Sequence, residues 1–134
     1  MSNPQSTAHA MHKPQRSGLK RIYWATYYSY LGIRAAWKNE AAFRQEILLM
    51  VILLPAALWL GQTVEQRLLL IIPCFIVVIA ELINSAIEAV VDRIGTEMHV
   101  LSGQAKDIGS AAVFFGLMLT ALSWGMIAWA RFGN

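Results

Sequence analysis

Charge is scarce in this 134-residue chain: Asp, Glu, Lys and Arg make up 14% of it, against 57% hydrophobic residues. A soluble domain carries roughly a quarter charged residues, so that class is excluded and a one-domain membrane protein is expected. The single cysteine, Cys74, lies in an apolar run. It excludes an intrachain disulfide and any Cys/His zinc pattern, and reads as an inert buried thiol. No glycine-rich GxxxxGKS/T loop and no soluble-kinase signature occurs. His9 and His12 stand three apart with no further ligand nearby, which makes no metal site. The first polar residues lead into no short apolar segment with a small-residue cleavage site, so no cleavable leader is expected.

What charge there is lies unevenly. Lys13, Arg16, Lys20, Arg21, Arg34, Lys38 and Arg44 all precede the first long apolar run, which places the N-terminus in the cytoplasm by the positive-inside rule. Tyr and Trp interleave with these cations beside membrane spans, which favours anionic headgroups over nucleic acid as their partner. Residues 1–18, with Pro4 and Pro14 and no periodicity, read as a disordered tail. Residues 19–39 carry Tyr23, Trp24, Tyr27, Tyr28, Tyr30 and Trp37 among the cations and read as an amphipathic helix at headgroup level. Either this helix only anchors the chain, or Arg21 and Arg34 also meet a phosphate-bearing ligand.

Three spans follow. The first covers about 41–60, with Glu40 and Glu46 near the inner boundary and Pro55 accommodated by neighbouring helices. Glu40 and Glu46 are six apart, about 120° around a helix, and so are expected to face different neighbours. Residues 61–65 form an outer turn, and the second span, about 67–94, carries Pro73. Residues 95–109 read as a cytoplasmic loop, with Thr96, Glu97, His99, Ser102, Gly103, Gln104, Lys106 and Asp107; its Gly and Ser would let the backbone approach phosphates. The third span, about 108–130, has Gly109, Ser110, Ala111, Ala112 and Gly116 for close helix contact. Three crossings leave the C-terminus outside.

The second span holds the chain's most unusual pattern. Glu81, Asn84, Glu88 and Asp92 share one helix face with Ser85 beside them, and the preceding Leu68–Ala80 has no charge over about 20 Å of helix. Glu81 therefore sits inside the bilayer, with Glu88 and Asp92 nearer its surface. A carboxylate in hydrocarbon costs on the order of 3 kcal/mol, so its default reading is functional. The plainer alternative is a protonated Glu81, or an Asn84, hydrogen-bonded to another helix. Glu40, Glu46, Glu81, Glu88, Lys106 and Asp107 all collect near the cytoplasmic boundary, where a lipid headgroup meets a soluble cosubstrate. Carboxylates offer hard oxygen ligands for Mg²⁺, lysine offers charge to phosphate, and a carboxylate in apolar surroundings can take a proton from a lipid hydroxyl. Those are the parts that phosphoryl transfer needs. A proton-linked transporter or channel buries the same carboxylates, so the residues alone leave both readings open.

The run Glu81-Leu-Ile-Asn-Ser-Ala-Ile-Glu-Ala-Val-Val-Asp-Arg-Ile-Gly95, followed by His99, Ser102, Gly103 and Ala105-Lys106-Asp107, closely resembles the bacterial integral-membrane diacylglycerol kinase family. Arg34-Ala-Ala-Trp-Lys-Asn-Glu40-Ala-Ala-Phe-Arg-Gln-Glu46 resembles the same family's first motif. The resemblance runs from about Leu19 to the C-terminus. It implies an all-α membrane protein, a homotrimer of three-span subunits, each with an N-terminal surface helix and with active sites shared between subunits, in the inner membrane of a bacterium.

The activity it implies is ATP- and Mg²⁺-dependent phosphorylation of diacylglycerol; related small membrane kinases prefer undecaprenol, which these motifs do not separate from it. By the resemblance, Glu81 is the general base, and Asn84, Lys106 and Asp107 complete the catalytic group. Glu40 and Glu88 hold Mg²⁺ on the ATP phosphates. Lys106, Asp107, His99, Ser102 and Gly103 line the nucleotide, approached by Arg21, Tyr28 and Ser29. Arg21, Arg34, Trp37, Glu46, Glu81 and Ser110 meet the lipid. Tyr30 and Leu31 stand where enterobacterial members carry Trp and Lys, and Gln104 replaces a loop Arg. Those departures weaken the transfer of the surface helix's role most.

Overall fold

The computed structural model describes residues 18–95, 97 and 99–133. Thr96, His9, His12, Lys13, Arg16 and the expected tail up to residue 17 lie outside them. The described residues form four helices, α1 (Leu19–Asn39), α2 (Ala41–Leu60), α3 (Val64–Ile94) and α4 (Val100–Phe132). The last three are long and apolar enough to cross a membrane. The chain divides into two units at Arg34 and Ala35, so that most of α1 belongs to the first.

In that first unit α1 carries a ladder of rings on successive turns. The Trp24 ring meets Tyr23 and Tyr27 edge-on at 5.6 and 5.7 Å between centroids, and Tyr28 at 6.0 Å. In the second unit, the last turn of α1 is finished from outside. Arg44 Nη1 donates to the carbonyls of Trp37 and Lys38 at 2.7 and 3.3 Å, satisfying acceptors that a helix C-terminus leaves open. Glu40 then breaks the helix with an extended backbone (φ −109°, ψ 112°) and serves as N-cap of α2 without a side-chain capping bond. Its carboxylate is therefore left for other work.

Two arginines close the far end of α2. Arg67 Nε donates to the Gly61 carbonyl at 3.0 Å, and Arg131 Nη1 donates to the carbonyls of Leu60, at 2.8 Å, and Trp59. The Arg131 guanidinium also lies over the Trp59 ring, 4.6 Å from its centroid, an attraction to the ring's negative face. Thr63 then caps α3, its hydroxyl accepting from Gln66 N at 3.3 Å while the Gln66 side chain accepts from Gln62 N at 2.8 Å, close to a capping box. That reciprocal pair starts the helix at Val64 rather than near residue 67.

A larger difference concerns the loop expected over 95–109. Only 95–99 separate α3 from α4, and Ser102, Gly103, Gln104, Lys106 and Asp107 lie in the opening turns of α4. His99 caps that helix, its Nδ1 accepting from Leu101 N at 3.2 Å. Gln, Ala and Lys are strong helix formers, and one glycine among them costs only about 1 kcal/mol.

So short a turn makes α3 and α4 antiparallel neighbours, and they share the most extensive interface of the fold. Along α3 the seam repeats every seven residues, at Leu70, Val77 and Asn84, as helices packed along their lengths favour. Trp124 Nε1 donates to the Leu70 carbonyl at 3.1 Å. One heptad along, a Cβ placed on Gly116 would stand 3.2 Å from Val77 Cγ2 and 3.4 Å from its Cα. One further heptad brings Gly109 against Asn84. Ala57, Leu60, Leu70 and Ile127 form the buried apolar core at the Trp124 end; the polar residues lie at the other.

Candidate active site and family membership

Glu81 and Asn84 continue the buried stripe of Leu70, Cys74 and Val77 along α3. They are the two buried polar side chains among the described residues, at 4% and 8% exposure. Such burial is costly unless the groups have partners. Asn84 has one, its Nδ2 donating to Glu88 Oε1 at 3.1 Å. A carboxylate only accepts, so the amide must turn its NH₂ towards Glu88 and its oxygen away.

Glu40 and Glu88 both lie close enough to repel the Glu81 carboxylate, and Glu81 in turn repels Glu46. The buried Glu81 is therefore within electrostatic reach of carboxylates from the break before α2, from α2 and from its own helix. Glu40 and Glu46, six apart in sequence, are both within electrostatic reach of Glu81, while Glu46 alone also lines an apolar groove. Glu40 is an extended cap outside α2, so helical phase does not apply to it. Repulsion in such a cluster is offset by a cation or a shared proton.

Lys106 brings a positive charge to this end of α3: its Nζ pairs with Asp92 Oδ1 at 2.6 Å and also feels the charge of Glu88. This pairing was not foreseen from the sequence, because it depends on a turn short enough to set Lys106 beside the end of α3. Asp107 is exposed on the next position of α4, and Ser110 is exposed three further on.

Among the described residues, three buried polar side-chain atoms have no hydrogen-bond partner: Glu46 Oε2, Asn84 Oδ1 and Ser85 Oγ. Glu46 lies at the edge of a largely apolar groove between α2, α3 and α4, with Leu53, Cys74, Val77, Leu117 and Thr120 in its walls. Among the described residues no three His, Cys, Asp or Glu groups converge as a metal cage. The carboxylates of Glu40 and Glu88 instead offer the small hard-oxygen set that Mg²⁺ uses when phosphates and waters supply the remaining ligands.

Other expected site residues have local partners of their own. His99 is turned back onto its own helix as a cap, with Gly103 N bonded to its carbonyl at 3.1 Å and Ser102 half-buried beside it. The exposed Trp37 shares its carbonyl with Arg44. Arg21, Tyr28, Ser29 and Arg34 belong to the first unit, where all four are exposed and the Ser29 hydroxyl donates to the Ala25 carbonyl at 2.9 Å.

The family model described as "Prokaryotic diacylglycerol kinase" matches residues 27–128. A "Diacylglycerol kinase" of Escherichia coli (strain K12) is 50% identical over 117 residues, covering 87% of this chain and 96% of that protein. One from Haemophilus influenzae is 49% identical over 111 residues, 83% of this chain and 94% of its own length. Another, from Helicobacter pylori, is 45% identical over 112 residues, 84% of this chain and 88% of its own. Identity of this degree over most of the chain, with the family model matched across residues 27–128, makes the chain a member of the prokaryotic diacylglycerol kinase family.

Proposed function

We propose that this protein transfers the γ-phosphoryl group of ATP to the primary hydroxyl of diacylglycerol, giving phosphatidate and ADP. The observation that carries this reading is the Glu81 carboxylate, 4% exposed on a span-length helix with Glu40, Glu46 and Glu88 around it. Glu81 takes the hydroxyl proton as the new oxygen–phosphorus bond forms and the bond to the ADP oxygen breaks. Glu40 and Glu88 hold Mg²⁺. Glu40 is free of capping duty, and Glu88 is steadied by Asn84. The bound ion supplies positive charge to the phosphate oxygens. Lys106 adds a further positive charge there, released from Asp92 or shared with it.

Asp107, His99, Ser102 and Gly103 line the nucleotide, with Arg21, Tyr28 and Ser29 reaching it from α1, which lies as an amphipathic helix on the membrane surface. The lipid enters laterally, its hydroxyl at Glu81 and its upper portion beside Glu46, Trp37, Arg34, Arg21 and Ser110. Residues 19–134 work as one kinase domain in a homotrimer whose subunits complete each other's sites. The unpartnered Glu46 and Ser85 oxygens support a site finished by groups from outside the chain. The basic N-terminal stretch supports a cytoplasmic N-terminus and a periplasmic C-terminus in the inner membrane.

Purified protein in mixed micelles with labelled ATP and Mg²⁺ tests this. Label is expected on diacylglycerol. Label on undecaprenol alone would move the protein to polyprenol kinases. Ion flux in liposomes without lipid-dependent ATP consumption would overturn the kinase reading.

A further inference from the structure

Where α3 and α4 come closest to the acidic cluster, the facing residues are Asn84 and Gly109. A Cβ on Gly109 would collide with Asn84 Oδ1 and stand 3.3 Å from Asn84 Cγ, while the nearest backbone atom, Asn84 Cα, would be an ordinary 3.7 Å away. The obstacle to any larger residue is thus the amide itself and not the helix behind it. Asn84 is 8% exposed and its Oδ1 has no hydrogen-bond partner; it occupies the space that the missing side chain leaves. With the oxygen lodged there, Nδ2 is aimed at Glu88 Oε1, 3.1 Å away.

We propose that Gly109 is a positioning residue, whose bare Cα lets the Asn84 amide adopt the orientation that holds the Glu88 carboxylate for a divalent cation. The inference rests on the proposed role of Glu88 in binding Mg²⁺. Hydrogen bonds to a ligating carboxylate orient it, and their loss typically costs 10- to 100-fold in metal affinity or activity. A side chain at 109 would rotate the amide while leaving the two helices together.

The seam contains its own control. Gly116 faces Val77 one heptad away, where an added Cβ meets Val77 Cγ2 at 3.2 Å and Cα at 3.4 Å. That contact is tighter against the backbone but holds no polar group. Two readouts separate positioning from packing: Mn²⁺ binding by electron paramagnetic resonance with a non-hydrolysable ATP analogue, and the Asn84 side-chain amide resonance under asparagine-selective ¹⁵N labelling. Gly109→Ala is expected to weaken Mn²⁺ binding about 10-fold and to move the Asn84 resonance. Gly116→Ala should leave both near wild type.

Unchanged Mn²⁺ affinity and an unmoved resonance in Gly109→Ala, with Glu88→Gln still weakening Mn²⁺, would overturn the inference alone. Wild-type Mn²⁺ affinity in Glu88→Gln would overturn the metal role of Glu88 and this inference with it. Should Gly109→Ala not fold, the same change is read in an Asn84→Ser background. There it is expected to add no further loss, because the amide it acts through is gone. A second loss of similar size would overturn the proposal.

Discussion

Lys106 and Asp92 form an ion pair at 2.6 Å just beyond the turn that joins α3 to α4, with the Asp92 side chain 66% exposed and that of Lys106 38% exposed. Exposed pairs of this kind add little to stability, so the pairing bears mainly on where the ammonium is held. Asp92→Asn is expected to leave the melting temperature unchanged and to alter the KM for ATP by less than about 5-fold, within the modest range of exposed pairs. Lys106→Met, which removes the positive charge from the proposed transition state, should lower kcat by about 100-fold or more. Steady-state kinetics on the two variants check the contrast.

Glu81→Gln preserves shape and burial and removes the capacity to take a proton. Loss of a general base typically costs about 10²- to 10⁴-fold. Turnover should fall in that range, while helical content and binding of an ATP analogue stay at wild-type levels. Near-normal turnover would exclude Glu81 as the base.

Glu40 and Glu88 flank the same buried carboxylate, one from the break between α1 and α2 and the other from α3. Glu40→Gln and Glu88→Gln are each expected to raise the Mg²⁺ concentration needed for half-maximal activity. The double variant should be less impaired than the product of the two, because residues that hold one ion act as a unit. Mg²⁺ titrations of initial rate give the comparison.

Trp124 offers a prediction remote from the chemistry. Its Nε1 donates to the Leu70 carbonyl at 3.1 Å, beside the fully buried Leu70 side chain. Interhelical hydrogen bonds in membrane proteins average roughly 0.6 kcal/mol and reach about 1.7. Trp124→Phe keeps most of the ring and should lower stability within that range, measured by unfolding in mixed micelles, without changing kinetic constants in folded protein.

The all-helical architecture with three span-length helices was legible in the sequence, because apolar runs of that length admit few other structures. The concentration of polar groups on one face of α3 was equally legible, since helical phase alone puts Glu81, Asn84 and Glu88 together. What stayed hidden depended on turns. Ser102 and Gly103 suggested a loop, but the His99 cap and the helix formers after them start α4 at Val100. The Lys106–Asp92 pair follows from that early start. The reach of Glu40 to Glu81 was hidden for a similar reason, because the chain is extended at Glu40 and helical phase cannot be counted across it. The role of Gly109 needed an interhelical distance, which one sequence does not contain.

The early start of α4 also determines where the chain can change length. From Val100 onward, Lys106, Asp107 and Gly109 ride on one rigid rod, so a residue inserted between 106 and 108 would swing everything before it by about 100° relative to everything after it. Lys106 would leave Asp92 while Gly109 still met Asn84. The same insertion in 95–99 lies outside both helices and leaves the rod's alignment intact. Two neighbouring stretches of nearly equal polarity should therefore differ sharply in how much growth they tolerate.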